Sequence, residues 1–491
     1  MTANKYHICV IDLGKTNKKI AVFDNNLNFL HKESMNFDMA KYKGIEIDQM
    51  DKIVSWLMGK IKALNKKYNI KIIGTTTYGA TITYINDKTK KLVFPVISYT
   101  HEPGEKFQKE FYNVFGSPEK LFKTTACPNF GMFLNPGKQI YWFKKHYPAL
   151  FSQVTDILCL PEYITYVFTG KKNAELTYIG THAYMYDYIN NKFSSVIEKM
   201  KIRHLFPKKL SKVSDVSGTI LPEISHKTGL PLSTKMTVGI HDSNASLLPY
   251  LLYGYKKFLL ASTGTWCCFM YPNAKLSLSN DDLRKNVLYY TDAFNKPVRA
   301  AIFRGGVEHD HYNKLLQKKF GGKPYKTGFN KKLVEEILTN CNCFVMPTLT
   351  PGAGQFPNSK PRIINEKFFY RDVETGYTVL CLSLAVQSYF AAKLLVKDEK
   401  IPVFVEGGFT NNETYLKVFA GMFKNLQFYT SEIKEATSFG TAICAKSGYE
   451  NIPMNKISKK LIKIKLNRIQ NSGINPQLLG KYIAKFARLA G

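Results

Sequence analysis

The sequence lacks three features that would each have assigned it to a familiar class of protein. It has no uninterrupted run of about 18 apolar residues, so we expect no membrane-spanning helix and no membrane partner. It has no Cys-x-x-Cys pair, which argues against a zinc ribbon or a thioredoxin-like site. It also has no G-x-x-x-x-G-K-[ST] loop, so a nucleotide would have to be held differently than in a P-loop protein.

Arginine and acidic residues are both scarce. Only eight of the 69 basic residues are arginine, and 37 Asp and Glu leave a formal net charge of +32. This excess could indicate a nucleic-acid partner, with residues 456–468 as its best location. Phosphate and base recognition favours arginine, however, and the lysines here are scattered. We therefore expect no specific nucleic-acid partner, and a steep salt dependence of DNA or RNA binding would support the alternative.

The 491 residues, of which 45% are hydrophobic, correspond to roughly two to four globular domains. The nine cysteines lie mostly in apolar runs, where cysteine behaves as a small buried hydrophobe. This usage fits a reducing compartment, and we expect a cytoplasmic protein. We leave open whether the protein forms a homodimer.

Two regions of the chain share one local pattern, in which a tight Gly/Thr turn joins two apolar β-rich runs. The first comprises the predicted strands 6–11, 19–23 and 27–30, and the second the predicted strands 258–261 and 266–271. Helical periodicity at 50–64, a strand at 71–75 and a largely helical stretch at 131–169, with a helix from residue 158, add alternating elements. The order predicts layered α/β structure in two halves, divided near residue 250.

Two polar turns could each receive an anion. The first offers backbone N–H groups, hydroxyls and a charge to phosphates, from Gly14, Thr16, Asn17 and Lys18. Asp12 ends the strand before it, where a carboxylate can hold Mg²⁺ directly or through water. The second turn offers the same chemistry from Thr263, Gly264 and Thr265. For either turn alone, an ordinary hairpin is the favoured interpretation.

A third glycine-rich element follows a predicted buried strand. Gly407 and Gly408 would let a flat ligand lie against the backbone, although a simple strand-to-helix turn is the favoured interpretation of this pair taken alone. Asp242 lies in a Gly-bounded segment beside His241, where it could act as a general base that takes a proton from a substrate hydroxyl. The alternative is an Asp that caps the following helix.

Together these segments resemble the FGGY family of carbohydrate kinases, within the actin, hexokinase and Hsp70 superfamily. The similar motifs follow the family order along nearly the whole chain, at residues 12–17, 239–245, 262–265, 351–357, 406–412 and 435–442. The resemblance implies an α/β fold of two actin-like (ribonuclease H-like) domains around a central cleft. Residues 1–249 would form the sugar side and residues 250–491 the ATP side.

The resemblance also implies a function, an ATP-dependent sugar kinase with ATP and Mg²⁺ as cofactors. Asp242 would be the catalytic residue. The two turns would bind the phosphates, and the adenosine motif would contribute Gly407, Gly408 and Asn412. One departure from the family pattern is Phe409, which stands where a third glycine usually follows the pair.

Within the family, His241-Asp242 and residues 74–80 look most like rhamnulose kinases, which implies a ketose such as L-rhamnulose or L-fuculose as the acceptor. The sugar site would comprise Tyr78, Gly79, Tyr99, His241 and Asp242. Packing at the cleft wall is the alternative for the two tyrosines. Xylulose, ribulose, gluconate and glycerol remain open as acceptors. A non-catalytic ATP-binding switch of the superfamily also remains open, although an intact Asp242 argues against it.

Overall fold

The computed structural model describes residues 5–323, 325–326, 328–397, 399–470 and 473–491. The described residues before 255 contribute fifteen strands and ten α-helices. The strands are β1 (His7–Leu13), β2 (Asn17–Asp24), β3 (Phe29–Asn36), β4 (Ala40–Tyr42), β5 (Ile45–Asp48), β6 (Ile70–Thr77), β7 (Ile82–Asn86), β8 (Lys91–Leu92), β9 (Val96–Ile97), β10 (Asp156–Cys159), β11 (Tyr186–Asp187), β12 (Lys192–Phe193), β13 (Val216–Thr219), β14 (Lys235–Thr237) and β15 (Ile240–His241). The helices are α1 (Met50–Asn65), α2 (Glu105–Phe115), α3 (Pro118–Thr125), α4 (Pro136–His146), α5 (Pro148–Phe151), α6 (Leu160–Thr169), α7 (Leu176–Ile179), α8 (Ser195–Lys199), α9 (Pro222–Thr228) and α10 (Asp242–Tyr253).

The described residues after 254 contribute nine strands and eight α-helices. The strands are β16 (Leu259–Thr263), β17 (Cys267–Pro272), β18 (Val287–Thr291), β19 (Pro297–Phe303), β20 (Phe344–Val345), β21 (Ile363–Ile364), β22 (Pro402–Gly407), β23 (Gln427–Ser431) and β24 (Leu466–Arg468). The helices are α11 (Asn280–Arg284), α12 (Gly305–Phe320), α13 (Lys331–Asn340), α14 (Glu366–Phe369), α15 (Val373–Leu395), α16 (Glu413–Gly421), α17 (Ala436–Glu450) and α18 (Pro476–Ala490). Short 3₁₀ turns lie at Arg203–Leu205, Gly408–Asn411, Met454–Lys456 and Lys459–Leu461.

Two large sheets repeat one strand order. In the first, the order β3-β2-β1-β6-β14 places an antiparallel hairpin beside two parallel strands, and β13 extends the edge. In the second, the order β19-β17-β16-β22-β23 does the same, with β18 and β24 at the edges. Strands buried on both faces of a sheet are mainly apolar, as residues 8–11 of β1 and all of β17 are. The pattern shared by residues 6–30 and 258–271 is thus the hairpin that begins each sheet.

The predicted elements agree with the structure in type more often than in bounds. Helix α1 buries the apolar face expected from its spacing, with Ile53, Leu57 and Ile61 fully enclosed. The predicted strand 27–30 begins later, because Leu27 adopts a left-handed turn conformation (φ 61°) before β3. The predicted helix from residue 158 was wrong at its start, since residues 158 and 159 belong to β10, which pairs with β7.

Helix α17 connects the two halves of the chain. It follows the second sheet in sequence, yet it packs against β1, β6 and α10 of the first half. Gly440 allows this close approach, since a Cβ there would lie 1.8 Å from Ala245 O. Phe439, Ala442 and Ile443 enter one buried cluster with Ile8 and Val10. The domain boundary between residues 249 and 250 stays a prediction, and helix α17 packs across it.

Helix α15 has the length and composition of a membrane span, with a mean hydropathy of 1.5. Within the fold, however, 78% of its most apolar window is buried, and it packs against α12, α16 and β19. Val379, Leu382 and Val386 are among its enclosed side chains. It is therefore a core helix of the second half.

Candidate functional site

Two neighbouring cavities, of about 300 and 400 Å³, lie between the two large sheets. The first is lined by both halves of the chain, with Tyr78 and Asp242 on one side and Trp266 on the other. The second lies beside the 3₁₀ turn at Gly408–Asn411. Four residues of the predicted turns line both cavities: Thr16, Asn17, Gly264 and Thr265. A ligand that spans the two cavities must therefore pass between the turns.

The turn between β1 and β2 lies at the cleft as predicted. Gly14 N donates a hydrogen bond to Asn17 O at 2.9 Å, which closes the turn. Gly14, Thr16 and Asn17 all line the first cavity. The Thr16 hydroxyl lies 3.1 Å from the Thr265 hydroxyl, so the two turns meet across the cleft. The threonine hydroxyls of both turns thus face one small volume.

The structure does not bring Lys18 to either cavity. Its side chain is buried, and Nζ donates to Lys15 O at 2.7 Å. Burial lowers the pKa of Lys18 to about 8. Successive residues of a strand point to opposite faces, and it is Lys19 that lines the first cavity. The cation predicted at position 18 therefore lies at position 19.

Asp12 is buried at the end of β1 and lines neither cavity. Its Oδ2 accepts a hydrogen bond from Ser438 Oγ at 2.7 Å and lies 3.2 Å from Lys19 Nζ. Lys19 also pairs with Glu435 at 2.9 Å. The Lys19 ammonium forms the cavity wall at this point. A metal ion in the cavity would therefore contact Asp12 through a water molecule.

The second turn, between β16 and β17, divides its predicted residues between two tasks. Gly264 and Thr265 line both cavities, and Gly264 N donates to Trp266 O at 3.1 Å. Thr263 faces inward instead. Its hydroxyl donates to Glu406 O at 2.5 Å and accepts from Phe409 N at 3.0 Å. The prediction of a direct ligand contact is thus corrected for Thr263, whose hydroxyl fixes the neighbouring glycine-rich turn.

The glycine-rich turn after β22 forms one wall of the second cavity. Gly407 pairs with Thr263 and has φ +85°, and a Cβ there would collide with the Thr263 carbonyl oxygen. Gly408 and Asn412 line the cavity, and Asn412 Oδ1 caps α16. Phe409 lines the same cavity and is 6% exposed, with its ring 5.7 Å from that of His309. Phe409 therefore shapes the cavity wall and does not block it.

Asp242 lines the first cavity as the first residue of α10. The N-cap residue is His241, and Asp242 Oδ1 accepts a hydrogen bond from Ser243 N at 2.6 Å, so the predicted capping role is met only in part. Burial, together with the charge of Asp12, raises the pKa of Asp242 to about 7. A carboxyl group with this pKa is suited to accept a proton near neutral pH.

The four other residues predicted for the sugar site lie together in the first cavity. Tyr78 Oη donates to Asp48 at 2.7 Å, and Tyr99 Oη accepts from Trp266 Nε1 at 3.2 Å. At Gly79, a Cβ would lie 2.6 Å from His241 Nε2, so only glycine leaves the imidazole accessible. Burial lowers the pKa of His241 to about 4, which keeps it neutral. Tyr78 and Tyr99 combine wall packing with polar contacts.

Sequence reasoning missed several residues of the first cavity. Lys15 lines it, with Nζ 2.6 Å from both Asp48 Oδ1 and Ser98 Oγ. His182 also lines it, and burial lowers the pKa of this imidazole to about 3. Trp266 completes the wall from the second half. Lys15 and Trp266 adjoin the predicted turns and could have been included on that ground, whereas His182 carries no local signal.

Among the residues that the structure describes, no group of three or more His, Cys, Asp or Glu side chains is placed to hold a metal ion. All nine cysteines are buried with free thiols.

Comparison with protein families gives two matches that together cover most of the chain. Residues 7–249 match the N-terminal domain of the FGGY family of carbohydrate kinases, and residues 255–452 match the FGGY carbohydrate kinase C-terminal domain. The rhamnulokinase of Oceanobacillus iheyensis is 22% identical over 244 residues, which are 50% of this chain and 48% of that protein. The chain thus spans about half the length of the curated relative that it matches.

Several solved structures share the fold over nearly their full length. A carbohydrate kinase from Novosphingobium aromaticivorans has a TM-score of 0.76 at 23% identity, covering 98% of this chain and 97% of that one. A ligand-bound xylulose kinase from Lactobacillus acidophilus has a TM-score of 0.81 at 16% identity, with 99% and 97% covered. Plasmodium falciparum glycerol kinase with ADP has a TM-score of 0.78 at 16% identity, with 98% and 97% covered. The predicted fold of two actin-like α/β domains is confirmed.

Proposed function

The chain belongs to the FGGY family of carbohydrate kinases, and on that premise we propose that it transfers the γ-phosphoryl group of ATP to a hydroxyl of a sugar. The second cavity would receive the nucleoside and the first cavity the acceptor. The phosphates would lie between the turns formed by residues 14–17 and 263–265. The family membership supports the reaction type, and the geometry of the cleft supports this assignment of its parts.

The observation that carries the proposal is the set of four residues shared by both cavities: Thr16, Asn17, Gly264 and Thr265. A triphosphate is the linear part of ATP, and it must join a nucleoside site to a site of transfer. Backbone N–H groups and hydroxyls in such turns bind phosphate oxygens. Catalysis of phosphoryl transfer rests mainly on alignment and electrostatics, and two opposed turns supply both.

Asp242 is the proposed general base. Its carboxylate faces the first cavity and would take the proton of the attacking hydroxyl. Its raised pKa matches this role. A carboxylate with a pKa near neutral pH binds a proton more tightly than an ordinary carboxylate, yet a large fraction of it is still ionised at that pH. Lys19, which also lines the first cavity, would face the charge that develops on the transferred group. Domain closure would exclude water, which otherwise competes as an acceptor.

A magnesium ion fits this site through a single carboxylate. Asp12 supplies a hard oxygen donor near the first turn, and Mg²⁺ in such sites keeps several waters and takes its other ligands from phosphates. Asp12 would hold it through water, because Lys19 lies 3.2 Å from the carboxylate. When bound, the ion would neutralise part of the charge on the phosphates.

We propose a ketose as the acceptor, with L-rhamnulose and L-fuculose as first candidates. The first cavity combines aromatic faces at Tyr78 and Tyr99 with polar groups at Lys15, His182 and His241, a mixture that suits the C–H faces and hydroxyls of a sugar. The Oceanobacillus iheyensis rhamnulokinase supports this choice over half of the chain. Kinases named for xylulose, gluconate and glycerol share the fold, so these acceptors belong in the same panel.

The proposal is tested by ADP release from ATP and Mg²⁺ with a panel of ketoses, polyols and sugar acids. We expect one acceptor to stimulate release strongly above the rate with ATP alone. ATP binding without stimulation by any acceptor in the panel would favour the non-catalytic switch. Gel filtration in the same buffer tests whether the protein forms a homodimer, and titration with duplex DNA at physiological salt tests the expected absence of a nucleic-acid partner.

A further inference from the structure

The short buried helix α7 touches two parts of the candidate site without lining either cavity. The Thr177 hydroxyl accepts a hydrogen bond from His241 N at 3.1 Å, directly before the proposed base Asp242. The Tyr178 hydroxyl lies 2.9 Å from the carbonyl oxygen of Tyr78, on the acceptor wall. A movement of α7 would therefore displace the base and the acceptor wall together.

Glu175 holds this helix at its N-terminus. Its Oε1 accepts from Thr177 Oγ1 at 2.7 Å and from Tyr178 N at 2.8 Å, and its Oε2 accepts from Thr177 N at 2.6 Å. A hydroxyl has one proton, so Thr177 directs its proton to Glu175 and presents a lone pair to His241 N. The Glu175 carboxylate thus fixes the direction of the hydroxyl that holds the catalytic segment.

A second buried carboxyl group, Glu162 on α6, interacts electrostatically with Glu175. Glu162 is fully buried, and within the described residues neither of its carboxyl oxygens has a hydrogen-bond partner. Burial and the charge of Glu175 raise the pKa of Glu162 well above its usual range. Among the described residues, Cys159, Tyr178 and Cys444 also interact with the pair, and none of these three is basic.

The two carboxyl groups therefore have different states. Two adjacent buried carboxylates cannot both be ionised without a large cost in free energy. Three hydrogen bonds stabilise the charge of Glu175, whereas at Glu162 the effect of burial outweighs that of the nearby backbone N–H groups of Glu162 and Glu175. The proton of the pair accordingly belongs on Glu162.

We propose that Glu175 is a positioning residue of the phosphoryl transfer, which holds the Asp242 segment through Thr177, and that Glu162 is its uncharged partner. The inference rests on the proposed function of Asp242 as the base. Glu175 touches neither substrate, so its effect on the reaction runs through the hydrogen bond between Thr177 and His241.

The first test distinguishes the loss of the Thr177 hydroxyl from a disturbance of the fold. Thr177→Val keeps the volume but leaves His241 N without its acceptor, and Thr177→Ser keeps the hydroxyl. We expect Thr177→Val to lower kcat by about tenfold or more, with the Kd for ATP within about twofold of wild type, because only the alignment of the base is lost. Amide hydrogen exchange at His241 should become faster in Thr177→Val, and Thr177→Ser should recover both values.

The second test compares the same substitution at the two members of the carboxyl pair, with Glu162→Gln as the control for Glu175→Gln. Glu175→Gln replaces one carboxylate oxygen by an NH₂ group, which cannot accept a hydrogen bond, so one of the two acceptor positions is lost. We expect kcat to fall, as in Thr177→Val. Glu162→Gln imitates the uncharged acid, so kcat at pH 7 should stay near that of wild type. Since the raised pKa of Glu162 makes wild type lose stability as pH rises above the ordinary Glu range, the Glu162→Gln protein should lose less.

The outcomes separate the inference from the proposed function. Absence of sugar-dependent ADP release in wild type would contradict the proposed function, and exchange at His241 would still decide the role of Thr177. Wild-type kcat and wild-type exchange in Thr177→Val would overturn the inference. So would an equal loss of kcat in Glu162→Gln and Glu175→Gln. If Glu175→Gln fails to fold, the two Thr177 variants decide.

Discussion

The two hairpin turns occupy equivalent positions in sheets of the same strand order, yet they carry different chemistry. At the first, Lys15 pairs with Asp48 at 2.6 Å and Lys19 pairs with Asp12 at 3.2 Å. At the second, residues 262–267 include no charged side chain. The first turn is therefore held by ion pairs, and the second by hydroxyl, backbone and ring contacts.

This difference in charge indicates separate roles for the two turns, which lie at equivalent positions in the two sheets. Charges in a partly buried site are useful only where partners fix their positions, and the first turn lies beside the proposed base and the acceptor. The neutral second turn leads through Thr263 to the glycine-rich wall of the second cavity. We infer that the first turn serves the transfer step and that the second turn seats the nucleotide.

The largest expected effect comes from Asp242, which lines the first cavity together with residues of both turns. Asp242→Asn keeps the size of the side chain and removes the base. We expect kcat to fall by about 10²–10⁴-fold, while calorimetry shows an unchanged Kd for ATP. Turnover within about twofold of wild type would remove Asp242 from its role.

A glycine in each half tests the division of tasks. Gly407→Ala forces a Cβ into the Thr263 carbonyl oxygen at φ +85°, and the strain should weaken ATP binding by about tenfold or more. Gly14→Ala places a Cβ 2.8 Å from Asn17 O and should lower kcat more than it weakens ATP binding. The same pattern of kcat and Kd in both variants would contradict the comparison.

The pH profile should depend on the charged turn alone. The pKa of Asp242 is raised to about 7, so the base is protonated below that pH and kcat/KM for the acceptor should fall as pH decreases. One pH unit below this pKa, the loss should be about tenfold. Lys19→Met removes a cation that lowers this pKa and should shift the fall to higher pH. Thr265→Val, in the neutral turn, should leave the position of the fall unchanged.

The smallest expected effect concerns the contact between the turns. The hydroxyls of Thr16 and Thr265 lie 3.1 Å apart, and replacing either by Val should cost about 0.5–1.5 kcal/mol in kcat/KM. A double-mutant cycle should give a coupling of similar size. Strictly additive effects would show that the turns act independently.

Much of the site could be predicted because its signals are local. Glycine beside short polar residues at a strand end identified the turns at Gly14 and Gly264, and a Gly pair after a buried strand identified Gly407. The repeated pattern of strand and turn indicated two related sheets. These features depend on neighbours in sequence, which a single chain displays.

The orientation of individual side chains could not be predicted in the same way. The register of the first hairpin pairs Leu13 with Lys18 and so directs Lys18 to the face opposite Lys19. A shift of one residue in the turn would reverse that choice, and the sequence does not specify it. The inward direction of Thr263 has the same origin, in its pairing with Gly407.

Contacts between distant segments carry still less signal. Lys19 pairs with Glu435, which lies 416 residues later, and Trp266 reaches Tyr99 across the cleft. Nothing in the sequence near either partner indicates the other. The Glu162 and Glu175 pair is a similar case, since its two members come from α6 and the N-terminus of α7.

The most direct test of the account is the ratio of phosphorylated acceptor to ADP, measured by mass spectrometry and ADP assay on one reaction. If the phosphates lie between the turns and the acceptor lies against Asp242, one acceptor molecule is phosphorylated for each ADP formed. ADP formed without a phosphorylated acceptor, with every member of the panel present in turn, would contradict the transfer that the account describes.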